Sequence, residues 1–255
     1  MQGTPLVRMI INADDLGRSE EVNDAIFGMM ARGSVTSATI LANGPQLQAA
    51  LKKLSYFPHC SFGVHLSADE FTPLSNPVPL ASLVDASGMF IPKRVRQVRP
   101  NRLLLAALAT EFSCQIEKLL SSGVHLSHID SHHHVHTIPW LFPALKYVQR
   151  HYGIRRVRIS RNIFSPTDRI DSFRSLQKNL YNFILRRVYE TITVAGFTDL
   201  VTFAGMTKTL AVYPDTIELV VHPGSQTRGQ ENELLDVIAH DGLPWPGKLM
   251  NYSQL

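Results

Sequence analysis

Nine residues, His128-Ile-Asp-Ser-His-His-His-Val-His136, hold five of the chain's 11 histidines and one carboxylate, Asp130. Imidazole is the commonest metal ligand and the side chain most readily tuned to move protons near neutral pH. The run follows an apolar approach and precedes a helix-like segment from about residue 139, so it reads as the end of a β-strand and the loop beyond. If the strand continues through it, the two-residue period puts Asp130, His132, His134 and His136 on one face, with His133 and Val135 on the other. The plainer alternative is a surface histidine patch, or core histidines satisfied by hydrogen bonds. A terminal tag is excluded, because the run is internal and its flanks resemble core sequence.

Three other places carry matching chemistry. Asp14 and Asp15 close the first apolar run, His65 lies near the end of another, and His222 sits in Val221-His-Pro-Gly224. Two neutral imidazoles and a carboxylate suit a catalytic divalent ion, because three protein ligands leave a position open for water. A nitrogen and oxygen donor set without thiolate favours Zn²⁺, Mn²⁺, Co²⁺ or Fe²⁺, and Mg²⁺ more weakly. Adjacent carboxylates on a strand cannot point the same way, so one can bind metal while the other faces the attacking water. A carboxylate base and a histidine acid would then complete hydrolysis of an amide or ester. His222 is the natural acid, since Pro223 and a glycine turn restrict its backbone. Taken singly, the aspartates also fit a helix cap or Asx-turn, and His65 a packed, hydrogen-bonded histidine.

The elements that position these residues alternate. Strand-like runs cover residues 8–13, 37–42, 61–66, the approach to the histidines, 156–161, 200–204 and 217–221, with a last short one at 248–252. Helical periodicity fills residues 20–32 after a Ser19 cap, 46–54, the stretch after Asn101 up to Gly123, about 139–152, and 172–195. In the last of these Leu176, Leu180, Phe183, Ile184, Val188 and Ile192 line one side. Residues 67–100 are Pro-rich and aperiodic, the pattern of a lid or binding loop. Helix propensity is weak from 204 to 217, so one α-element is expected to be missing or truncated. Alternation of this kind predicts an α/β fold with parallel strands, a TIM-barrel-like (β/α) barrel over a single domain, residues 1–255. Asp14, Asp15, Asn43, His65, His132, Arg161 and His222 then fall at or just after C-terminal strand ends. In such a barrel those ends meet at one face, where active sites are built.

Composition sets the bounds. The chain has 255 residues, 44% hydrophobic and 18% charged, enough to bury a large core and unlike a disordered protein. A net charge of +4 and pI near 9.1 permit an anionic substrate or lipid headgroup, but no aromatic-interleaved basic ladder points to nucleic acid. Cys60 and Cys114 are only two and far apart, as in a reduced cytoplasmic protein. No apolar run is long enough to span a bilayer, and no secretory leader is visible. Peripheral membrane contact and a homodimer stay open.

In order along the chain, Asn12-Ala-Asp-Asp-Leu-Gly17, Val35-Thr-Ser37, Asn43-Gly44, Gly63-Val-His-Leu66, the histidine run, His222-Pro-Gly224 and Asn251-Tyr-Ser resemble the YdjC-like (ChbG/HpnK) carbohydrate deacetylases. The resemblance implies a TIM-barrel-like fold and metal-dependent removal of an N-acetyl group from an amino sugar, such as a chitooligosaccharide or an N-acetylglucosamine conjugate. Carried over by motif, Asp15, His65 and His132 are the metal ligands and Asp14 the general base, an assignment that also follows the analogy of NodB-type deacetylases. Zn or Mg is the expected ion, with Mn or Co as substitutes. Asn43, Asp130, His134 and His136 are expected as substrate contacts or as partners orienting the ligands. Arg158 or Arg161 is expected to orient Asp14 or hold a substrate oxygen. Residues 67–100 and 161–200 share nothing usable with chitobiose-acting members, which leaves the sugar open. The rival readings are a metal-dependent phosphoesterase or amidohydrolase, whose barrels usually open on H-x-H rather than Asp-Asp, and a non-catalytic sugar-binding barrel.

Overall fold

The computed structural model describes residues 6–165, 168, 171–207, 213–225 and 227–255. Strands and helices alternate as β1 (Arg8–Leu16), α1 (Glu20–Ala31), β2 (Ser37–Ile40), α2 (Leu47–Leu51), β3 (Ser61–Leu66), α3 (Arg102–Ser121), β4 (Leu126–Ser131) and α4 (Phe142–His151). The second half adds α5 (Ser172–Arg187), β5 (Gly196–Asp199), α6 (Leu200–Met206), β6 (Thr216–Val221), α7 (Gly229–Asp241) and β7 (Lys248–Leu249). Six strands run in the order β4-β3-β2-β1-β6-β5, with β7 added against β1, and every pairing is parallel. The sheet curls as half a barrel, consistent with a TIM-barrel-like frame. Strands covered on both sides should be apolar throughout, and β1 is buried from Met9 to Leu16. The expected caps form: the Ser19 hydroxyl accepts from Val22 N and the Asn101 side chain from Leu104 N.

Several expectations fail for local reasons. Residues 156–161 are not a full strand. Val157 bridges Ile129 and Arg156 bridges Ile192, but at Ser160 the side chain of Asn182 takes both ladder bonds, accepting from Ser160 N at 2.8 Å and donating to Ser160 O at 2.9 Å. Residues 200–204 are helix rather than strand. The strand there is β5, and Asp199 ends it by capping α6, accepting from Thr202 N at 2.8 Å. The long helix stops at Arg187, because Val188 is extended and Tyr189 and Glu190 have positive φ. Its apolar side faces solvent: Tyr181, Asn182 and Leu185 are the buried residues, while Leu176, Leu180, Phe183 and Ile184 are exposed. The truncated α-element is α6, seven residues long, and residues 208–212 after it lie outside the described residues. Among the described residues no helix is long and apolar enough to cross a membrane.

The 67–100 segment is tied down by α3. The buried Glu111 carboxylate accepts from Leu74 N at 3.0 Å and Ser75 N at 2.7 Å, and Gln115 pairs with both backbone groups of Ser67. This anchoring brings Asp69 and Glu70 beside the histidine run.

One glycine opens the interior to a ring. His128 stacks on Tyr252 with centroids 3.5 Å apart, and a Cβ on Gly63 would lie 2.5 Å from His128 Cε1. Both rings are fully buried, so neither has room to retreat. Gly63→Ala should therefore cost roughly 1–3 kcal/mol by overpacking, read as a lower urea midpoint with unchanged slope. An unchanged midpoint would mean that the stack is looser than it looks.

Candidate functional site

On a regular strand Asp14 and Asp15 would face opposite ways. Here β1 and β2 lose register between Ala13 and Leu16, and Asp15 has a φ of 72°. A non-glycine residue in the left-handed region costs on the order of 1–3 kcal/mol and persists only where its surroundings enforce it. The bulge brings both carboxylates to one cavity of about 870 Å³, lined also by His65, His132, His134 and His222. That is more than alternation allowed.

His65, at the end of β3, is oriented from behind. Its Nδ1 lies 2.7 Å from Asp130 Oδ1 on β4 and 3.0 Å from the Thr39 hydroxyl on β2. Its Nε2 is thereby aimed into the cavity, 3.3 Å from Asp15 Oδ1 and 3.9 Å from Asp14 Oδ2. His132 follows β4 directly. Its Nδ1 lies 2.9 Å from Asp15 Oδ1, and its Nε2 is 2.8 Å from Glu70 Oε2. Burial opposes charge on both rings, yet the carboxylates prevail. His65 is held well above the usual imidazole range by Asp130 and Asp14, and His132 is raised to about 9 by Asp15 and Glu70. Asp15 is conversely held low by the two imidazoles, against the effect of its burial.

Asp14 is gripped by Arg158, whose Nη1 and Nη2 donate to Oδ2 at 2.8 Å and Oδ1 at 2.7 Å. The guanidinium is fully buried, and it also meets Asp130 Oδ2 at 2.7 Å and Glu218 Oε1 at 2.7 Å through Nε. Tyr252 donates its hydroxyl to the other oxygen of Glu218. Burial would raise the Asp14 carboxyl, but Arg158, with His65 and His222 nearby, holds it well below the ordinary range. Glu218 is pushed up to about 7 by burial, Arg158 notwithstanding. His222 Nε2 faces Asp14 Oδ2 at 3.9 Å from the opposite wall. Burial lowers this imidazole to about 4, against the pull of Asp14. The turn after it rests on α1, where a Cβ on Gly224 (φ 83°) would lie 3.1 Å from Glu21 O.

A family model described as YdjC-like protein matches residues 8–243. The chain belongs to the YdjC-like family. It is 38% identical over 160 residues to a protein named carbohydrate deacetylase from Geobacillus stearothermophilus, covering 62% of this chain and 63% of that one. A second protein of that name, from Clostridium beijerinckii, is 29% identical over 225 residues, covering 86% and 82%. In the Geobacillus pairing the chain thus spans less than two thirds of its relative. A crystal structure from Enterococcus faecalis V583, described as a cellobiose-phosphate cleavage protein, superposes over 98% of both chains with a TM-score of 0.76 at 24% identity. That likeness speaks for the fold alone.

Within this YdjC-like chain the histidine run divides. The strand ends at Ser131 and the chain turns into a 3-10 segment with positive φ at His133 and His134, so the single four-residue face does not form. His132 and His134 line the cavity. His128 and His136 are packed core histidines instead, the latter donating through Nε2 to Arg158 O at 3.0 Å. Asp130 backs His65, as described. Asn43 lies aside, its amide donating to Glu70 O at 3.0 Å and Thr72 O at 3.3 Å. Of the two arginines, Arg158 meets Asp14, whereas Arg161 lines the rim and bonds Ile163 O, Asp168 and Thr202. Glu70, Thr39 and Glu218 escaped the sequence reading. Glu218 left a signal, a charge in the middle of the apolar strand Thr-Ile-Glu-Leu-Val-Val. Glu70, in an aperiodic loop, left none.

Donor atoms of Asp15, His65 and His132 all lie within 4.8 Å of one another. With the Nδ1 proton of His65 engaged by Asp130, its Nε2 and an Asp15 oxygen face each other, and a divalent cation that displaces the Nε2 proton would satisfy both. A second group, Asp14, His65 and Asp130, meets the same distance limit. Two of its members are already spent on Arg158, so it suits a metal poorly.

Proposed function

We propose that this chain is a metal-dependent hydrolase that removes the N-acetyl group from an amino sugar, a chitooligosaccharide or an N-acetylglucosamine-containing glycan or glycolipid, and releases acetate. The observation that carries this reading is the convergence of Asp14 and His222 on one cavity beside Asp15, His65 and His132. Relatives named carbohydrate deacetylase supply the substrate class. In this reading the frame is a TIM-barrel-like barrel of one domain, and the free Cys60 and Cys114 suit the cytoplasm.

Asp15, His65 and His132 would hold the cation, which supplies Lewis acidity to activate water and polarise the acetamide carbonyl. Arg158 keeps Asp14 anionic and points its Oδ2 into the cavity, where it accepts the proton of the attacking water. A carboxylate held so low keeps a proton only briefly. His222, neutral at rest and 3.9 Å from the same oxygen, takes that proton and delivers it to the departing amine nitrogen. His134 and Arg161 also line the cavity, where the sugar rings would lie.

Acetate release from a panel of N-acetylated sugars, free and lipid-linked, tests the reading. Acetate should form from at least one member, stop with chelator and return with added Zn²⁺ or Mg²⁺. Phosphate from sugar phosphates, or binding of sugar with no product, would replace it with one of the rival readings.

A further inference from the structure

Helix α5 presents an apolar stripe to solvent. Phe173, Leu176, Leu180 and Phe183 are 54–65% exposed, and Ile184 is 40% exposed. At 100° per residue they fall within an arc of roughly 100° on the side away from the buried Tyr181, Asn182 and Leu185. No described residue covers them. The charge on this helix is of one sign: Arg174, Lys178, Arg186 and Arg187 stand between residues 172 and 188, with no acid among them. Arg187 lies over the ring of Phe183 at 4.9 Å, which sets a cation within the stripe itself.

The helix also adjoins the mouth of the cavity. Lys178 and the rim residue Arg161 sit over the same ring, Phe164, at 5.0 and 5.2 Å. We propose that the exposed face of α5 docks on an anionic lipid surface. A basic helix with an exposed apolar face suits the boundary between headgroups and acyl chains, where both features are satisfied together. A second copy of the chain fits less well, because a two-fold contact through α5 would set two wholly cationic helices against each other. Docking goes beyond the deacetylase reading and does not rest on it.

Flotation of the full chain with phosphatidylcholine vesicles, with and without phosphatidylglycerol, tests the proposal. The protein should float with the anionic vesicles and stay down with the neutral ones. The double variant L176E/F183E should lose on the order of tenfold or more of this partitioning, while its unfolding midpoint and its turnover of soluble sugars match the parent. If the double variant fails to fold, Leu180→Ser gives the same reading at smaller amplitude. Absence of flotation in the parent, equal flotation on both vesicle types, or flotation of a folded variant like the parent would overturn the proposal. So would light scattering that gives twice the chain mass for the parent and the single mass for the variant, which would make the stripe a seam between copies. Flotation requires no turnover, so the docking surface and the deacetylase reading fail separately.

Discussion

Replacing His132 by alanine should remove bound metal and acetate release together. His132 lies between Asp15 and Glu70, so its loss deletes one of three donors, while Arg18, which pairs with both carboxylates, still holds them in place. Even partners outside the ligand shell are typically worth roughly 10–100-fold in metal affinity or activity, so a lost ligand should cost at least the upper end of that range. Metal analysis of the dialysed protein should fall from about one ion per chain to a trace, and turnover should fall with it. Circular dichroism should remain that of the parent, since the strands end before residue 132. A variant that kept its ion and its rate would strike His132 from the ligand set.

Asp14→Asn should separate what His132→Ala loses jointly. The amide is isosteric and retains an acceptor for Arg158 Nη2, while Asp15, His65 and His132 are untouched, so metal content should match the parent. Turnover should nonetheless drop roughly 10²–10⁴-fold, the usual worth of a positioned proton acceptor, mostly in kcat. One amide N–H will face an arginine donor in a buried place, which should cost on the order of 1–3 kcal/mol of stability. Full activity would remove Asp14 as the base. Loss of metal would show that it belongs among the ligands.

What the sequence made legible was whatever local pattern governs. Strand and helix periods, the Ser19 and Asn101 caps and the positions of His65, His132 and His222 at strand ends follow from neighbours within a turn or two. Features set by distant partners were hidden. The φ of Asp15 depends on a slipped register with β2, and the place of Glu70 depends on Glu111 and Gln115 some 40 residues later. The choice between Arg158 and Arg161 required knowing that Asn182 ends the ladder between them at Ser160. The apolar periodicity of α5 is legible as a stripe but not the side it faces, because a period alone does not say whether an apolar face meets a core or something else.

Arg158 joins carboxylates carried by β1, β4 and β6, strands that are not all neighbours in the sheet, through one guanidinium. Removing the arginine would leave three carboxylates in a buried place without their shared cation, and breaking a buried charge assembly in this way typically costs 3–5 kcal/mol, a large share of a typical domain's net stability. Reactivity and foldedness are thus tied at the same atoms. A mutant library sorted only for well-folded protein would already be depleted of exchanges at position 158 before any sugar was offered. Intolerance there in such a screen would say nothing by itself about catalysis.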